Sequence, residues 1–209
     1  MPTSTGYVIT VRLVETPEPV YREFTVPKRY TFHQLHKVIQ LAMGWQGTHL
    51  YEFQIGPLQI GIPTEDFEEI NPDVDATRVH LSWADWDVGS TFQYVYDLGD
   101  YWQHEGVITE ISEDPEIRAR VLAGSGACPP EDVGGAEGYA DFLKIIADPS
   151  HEQYQETRRW AWQRYEFTGF SLQAANQRLT RTFPGKRSAA KKTKKKVKNR
   201  KGWYFQTDR

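Results

Sequence analysis

Thr31-Phe32-His33-Gln34-Leu35-His36-Lys37-Val38-Ile39-Gln40-Leu41-Ala42-Met43-Gly44 decides how the fold begins. Phe32, Leu35, Val38, Ile39, Ala42 and Met43 recur on one helical face, Thr31 and Gln34 have the spacing of a capping box, and Gly44 supplies the stop. Upstream, Tyr7, Ile9, Val11 and Leu13 alternate with Val8, Thr10 and Arg12, a period of two that a strand has and a helix lacks. Val20 to Val26 reads as a second strand after the Pro17-Glu18-Pro19 break. The chain therefore opens as a β-hairpin followed by a helix.

Leu50 to Ile55 and Gln59 to Ile62 form a further predicted hairpin around Gly56-Pro57, and the acidic stretch from 64 to 75 reads as an exposed loop before Arg78 to Leu81. Phe92 to Tyr96 and Trp102 to Ile111 are predicted strands joined by the Asp97-Leu98-Gly99-Asp100 turn, because glycine accepts positive φ and aspartate bonds its own backbone. Helical patterns follow: Tyr139 to Ala147, stopped by Pro149; a segment from Ser150, with Ser150 and Gln153 as a capping box; and Ser171 to Leu179. Strands first and helices gathered toward the C-terminus predict an α+β fold with a mixed or antiparallel sheet.

A chain of 209 residues buries roughly 70% of its unfolded surface, enough for one core without staples. The net charge of −3 conceals a division. Residues 186–209 hold 11 of the 25 Lys and Arg and one of the 28 Asp and Glu, so this tail carries +10 and residues 1–185 carry −13. The composition breaks at Phe183-Pro184-Gly185, which divides an α+β domain, 1–185, from a basic tail, 186–209, too poor in apolar residues to order itself. The run from 186 to 201, with Lys191, Lys192, Lys194, Lys195 and Lys196 at its centre, suits an anionic partner, DNA or RNA, with the acidic body as internal competitor. Trp203-Tyr204-Phe205 behind it offers rings that dock on the body or stack on bases.

Cys128 is the single cysteine, so no intrachain disulfide forms; the N-terminus lacks a basic-then-apolar leader, and no apolar run nears the ~20 residues needed to span a bilayer. A cytoplasmic protein without membrane association is expected. No phosphate-cradling G-x-x-x-x-G-K-[ST] motif, C-x-x-C pair or serine nucleophile elbow occurs, which argues against nucleotide-driven chemistry, zinc fingers and serine hydrolysis.

Three segments concentrate chemistry. On the 92–111 hairpin, Tyr96 and Trp102 are candidate binding rings, and His104, with Asp97, Asp100 and Glu105 nearby in sequence, is either a core histidine satisfied by a backbone or tyrosine partner or a general base or metal ligand. Asp97 and Asp100 equally serve a tight turn. His49 and Glu52 point to opposite faces if they share a strand, so His49 fits better as a loop-edge ligand for distant acids. The loop from Cys128 to Tyr139 is stiffened by Pro129-Pro130, loosened by Gly134-Gly135 and followed by a helix; Glu131 and Asp132 either cap that helix or bind a cation. Cys128 as a nucleophile lacks a nearby cation to form thiolate. A divalent metal held by Asp97, Asp100, Glu131, Asp132 and a histidine requires the hairpin tip and the Cys128 loop to meet.

Tyr96 to Glu105, Cys128 to Tyr139, Met43-Gly44-Trp45 and His49-Leu50-Tyr51-Glu52-Phe53 resemble the plasmid pRiA4b ORF-3-like family, whose members include passenger proteins of insertion elements. The likeness runs from about Tyr7 to Leu179; Leu98 stands where the family usually has an aromatic, and the basic tail lies outside it. The resemblance implies a compact α+β domain of mobile-element origin acting as a binding module. The residues add a nucleic-acid-associating tail and, as an alternative, a metal-assisted hydrolase or transferase; a purely structural role for the motifs is the third reading.

Overall fold

The computed structural model describes residues 5–64, 72–162 and 165–184, together with the backbone of 197–199 and 202–204. The hairpin of β1 (Gly6–Leu13) and β2 (Tyr21–Pro27) leads into α1 (Phe32–Met43), then β3 (Tyr51–Ile55), β4 (Leu58–Gly61), β5 (Val74–Asp75) and a 3-10 turn over Leu81–Ala84. After these come β6 (Thr91–Tyr96), β7 (Trp102–Ser112), β8 (Arg120–Ser125), α2 (Gly135–Ala147), α3 (Tyr154–Ala161) and α4 (Leu172–Thr182). A separate antiparallel pair, β9 (Val197–Asn199) and β10 (Gly202–Tyr204), lies in the tail. The first eight strands form one sheet in the order β5-β4-β3-β6-β7-β1-β2-β8, antiparallel except for β4 with β5. The predicted α+β class holds.

Thr31 caps α1 as its sequence requires: its hydroxyl accepts from Gln34 N–H, the Gln34 side chain accepts from Thr31 N–H, and Gly44 ends the helix in the left-handed region. The apolar face of α1 and inward residues of the sheet, among them Tyr7, Ile9, Phe24, Phe53, Tyr94 and Ile108, form the core. Arg12, Gln54, Gln93 and Glu105 alternate onto the solvent face, as expected of an antiparallel sheet with one wet side. At the β8 edge Asn176 of α4 imitates a neighbouring strand, accepting from Val121 N–H at 3.0 Å and donating to Val121 C=O at 2.9 Å. One side chain thus blunts an edge open to pairing with another chain.

One strand is added to the sequence reading and two local predictions are corrected. β8 has no clear alternation because Ala123 and Gly124 give it little apolar signal; its ladder with β2 and its Asn176 contact define it. α2 starts at Gly135, ahead of Tyr139, since the Gly134-Ala136 turn already has helical bonding from Gly138 N–H to Gly134 C=O. The Ser150–Gln153 capping box does not form: the Ser150 hydroxyl bonds Asp148 and α3 begins at Tyr154. Residues 65–71 of the acidic loop, and Lys191, Lys192, Lys194, Lys195 and Lys196 of the basic run, lie outside the described residues, as does Phe205. No helix among the described residues is long and apolar enough to cross a membrane.

Candidate functional site

The β6–β7 hairpin has two histories along its length. Within the sheet, Phe92, Tyr94, Tyr96, Trp102 and His104 face inward and are buried. At the tip the chain must reverse, and Asp97 and Tyr101 do so at φ 59° and 56°. The Asp97 Oδ1 accepts from Gly99 N–H at 2.9 Å and Asp100 N–H at 3.3 Å, so one carboxylate oxygen folds the turn. The other, Oδ2, is left to point outward at 3.6 Å from His49 Nε2.

His49 sits in the segment between α1 and β3. Its main-chain path is tied down just upstream: Gln46 N–H donates to Glu131 Oε1 at 2.7 Å, and Thr48 N–H donates to the Tyr96 hydroxyl at 3.2 Å. The Tyr96 hydroxyl in turn lies 3.1 Å from both Glu131 oxygens, to which it donates. Burial first, then the Glu131 carboxylate, push the Tyr96 phenol above its ordinary value, so it remains a donor. The Cys128 loop supplies the remaining wall. Trp45 Nε1 donates to Pro129 C=O at 2.9 Å, and Gly134 N–H donates to Asp100 Oδ2 at 3.2 Å. Gly135, at φ 67°, leaves only 2.7 Å between the position a Cβ would take and Asp100 C=O, so a side chain there would part the loop from the hairpin tip.

Three segments distant in sequence thereby converge on one imidazole. His49 Nε2 lies 3.2 Å from Asp132 Oδ1, 3.6 Å from Asp97 Oδ2 and 3.7 Å from Glu131 Oε2. Ligand atoms of His49, Asp97 and Asp132 all fall within 4.8 Å of one another. Divalent cations with metal–ligand distances near 2.1 Å hold neighbouring donors roughly 3.0 to 3.5 Å apart, close to the two distances from His49, so a bound ion would draw the carboxylates slightly inward. Asp97 and Glu131 are 8% and 7% exposed, whereas the Asp132 side chain is 64% exposed, which gives the cluster a buried back and an open front. Among the described residues no Lys or Arg forms an ion pair with these three carboxylates; the His49 imidazole is the basic group that faces them. Asp132, like Asp97, has left-handed backbone (φ 61°), a conformation that Asp enters more readily than most residues.

Other sequence candidates go elsewhere. His104 is 1% exposed, with Nδ1 donating toward Trp102 C=O at 3.0 Å and Tyr94 C=O at 3.2 Å; burial lowers its pKa to about 4. It is a neutral core histidine, and its neighbour Glu105 alternates to the opposite face to pair with Arg12. Trp102, 2% exposed and edge-on to Tyr139, has no ring face open for stacking; Tyr96 is buried and reaches the site with its hydroxyl and an edge contact to His49. Cys128 is buried, and burial pushes its thiol up, against formation of a thiolate nucleophile. Asp100 bonds Gly134 and thus holds the two loops together. Glu131 and Asp132 do not cap α2, whose N-cap Gly134 has no side-chain bond. Sequence reasoning missed Gln46 and Thr48, because both act through main-chain N–H groups that any residue type carries.

Residues 5–174 match the family described as plasmid pRiA4b ORF-3-like protein, and the chain belongs to that family. The uncharacterized protein y4hQ of Sinorhizobium fredii (strain NBRC 101917 / NGR234) is 42% identical over 147 residues, which cover 68% of this chain and 73% of y4hQ. Among solved structures, the protein of unknown function MM3350 from Methanosarcina mazei Go1 superposes with a TM-score of 0.66 at 30% identity, over 75% of this chain and 89% of that one.

Proposed function

We propose that this protein is a divalent-cation-dependent hydrolase whose centre is His49, Asp97 and Asp132, with Glu131 as proton acceptor. The observation that carries the reading is the convergence of three carboxylates, two of them buried, on His49 with no Lys or Arg among the described residues to offset them. Buried carboxylates without a cation are costly, and a dication placed among them offsets that cost. A bound cation supplies Lewis acidity and lowers the pKa of water. Glu131 is fixed by Tyr96 and Gln46, so its carboxylate is held at the buried back of the cluster, beside His49, to take a proton. The nitrogen-plus-carboxylate donor set fits zinc, manganese or iron better than calcium. Titration calorimetry with zinc and manganese tests this: one equivalent binds the parent, and a double variant His49→Ala, Asp97→Asn binds none. Equal affinity in parent and variant would exclude the site.

The charge division supports a second reading, in which the protein is a mobile-element accessory factor whose run from 186 to 201 associates with nucleic acid. Its affinity then falls steeply with salt and with replacement of Lys191, Lys192, Lys194, Lys195 and Lys196 by Gln. Salt-insensitive binding would contradict it.

A further inference from the structure

We propose that the cavity between Arg29, Tyr30, Arg118 and Phe183 is a second contact for the nucleic-acid strand that the basic run engages; the proposal rests on that second reading. The cavity, about 410 Å³, lies at the end of α4 and is also lined by Glu116 and Pro184. Its floor is a stacked pair, Tyr30 on Phe183, with ring centroids 5.2 Å apart and planes 27° from parallel. The Arg29 guanidinium lies 5.9 Å from the Tyr30 ring. Among the described residues neither Arg29 nor Arg118 forms an ion pair, in a body whose residues 1–185 carry −13.

Pro184 forms part of the rim, and the first cation of the basic run, Lys186, follows two positions later in sequence. Two guanidinium groups without an ion pair among the described residues therefore lie beside the residue from which a segment carrying +10 continues in sequence. A guanidinium fork matches the oxygens of a phosphate, and aromatic rings between such forks suit the planar base between successive phosphates. Acidic polypeptide offers the charge without the planar bases, so nucleic acid is the occupant these residues favour. Glu116 on the same wall opposes binding and sets an upper limit on affinity at low salt.

The test uses the full chain and a fluorescently labelled single-stranded oligodeoxynucleotide, read by anisotropy over a salt series. Arg29→Gln with Arg118→Gln should weaken binding and reduce the slope of log affinity against log salt by about 1.4, the share of two phosphates on a single strand. A double variant with the parent's affinity and slope overturns the cavity while leaving the tail reading intact. Loss in the double variant with none in the Lys-to-Gln tail variant overturns the tail reading and with it the cavity as a second contact, since the cavity would then bind on its own. Absence of binding by the parent overturns both. Polyglutamate of equal charge displacing the label as well as unlabelled oligonucleotide does overturns nucleic acid as the occupant.

Discussion

His104 and His49 lie at opposite ends of one hairpin's influence, and their surroundings differ in every respect that matters for chemistry. His104 occupies β7 inside the sheet, faces two backbone carbonyls and sits edge-on to Trp45 with centroids 5.4 Å apart. Its Nε2 is buried and has no hydrogen-bond partner among the described residues. His49 lies on a loop beyond the hairpin tip, facing three carboxylates at 3.2 to 3.7 Å. Near neighbours in sequence mislead in the first case: Asp97, Asp100 and Glu105 are close to His104 along the chain, yet strand alternation and the turn carry them away. The comparison teaches that a chemical cluster in this fold is made by loops meeting, and that the strands only aim them.

The largest effect separates the two histidines directly. His49→Ala with Asp97→Asn should lower zinc affinity at least about 100-fold, since two of three ligands are gone, whereas His104→Gln should leave it within a factor of about two. Calorimetry on both variants breaks the comparison if His104→Gln proves the more damaging.

Acid stability sharpens it from the other side. Burial lowers His104 to about 4 and His36 to about 3, so between those values and about 6.5 the unfolded chain binds protons that the native state refuses. Their contribution is therefore fully present above about pH 6.5 and is lost as pH falls toward 4. At pH 5 each costs on the order of 2 kcal/mol relative to neutral pH. His104→Gln keeps a donor for the two carbonyls but cannot titrate, so its urea midpoint should fall less between pH 7.5 and pH 5 than the parent's. An identical fall would mean that His104 is solvated or already charged in the native state.

The fold was legible where one residue's neighbours are its own sequence. The alternation in β1, the capping box of α1 and the Asp97–Asp100 turn are local, and local physics determines them. β8 was not legible, because its evidence is the side chain of Asn176, 55 positions away. At the site the residue types were legible, Asp97, Glu131, Asp132 and His49 among them, but their meeting depends on contacts such as Asp100 with Gly134 and Tyr96 with Glu131, which span 34 and 35 positions. Asp100 is informative in this respect: the acid looks like a ligand and acts as a clasp.

Tyr96 joins the two regions, with its ring in the core and its hydroxyl at the site. Tyr96→Phe keeps the ring and its packing on Trp45 but removes the hydroxyl that Glu131 and Thr48 share. Outer-sphere partners of this kind typically alter metal affinity about 10-fold, and the fold should lose no more than about 1.5 kcal/mol. A Tyr96→Phe variant with full zinc affinity would show that the Thr48 bond does not set the position of the His49 ligand.

The smallest expected effect is the most pointed for the comparison. Glu105 follows His104 directly, and proximity in sequence makes it a plausible carboxylate partner for that imidazole. Alternation puts the two on opposite faces of β7, and Glu105 instead pairs with Arg12 across the solvent side, where both side chains are 55% exposed. Exposed pairs of this type contribute between zero and about 1 kcal/mol because water screens them and two long side chains must be held still. Glu105→Gln should leave zinc affinity unchanged, leave the acid dependence of His104 unchanged, and shift the urea midpoint by no more than that small amount. A larger response in the pH profile would place the carboxylate's field at His104 through the sheet, and with it would go the claim that strand alternation isolates the core histidine from the charges beside it in sequence.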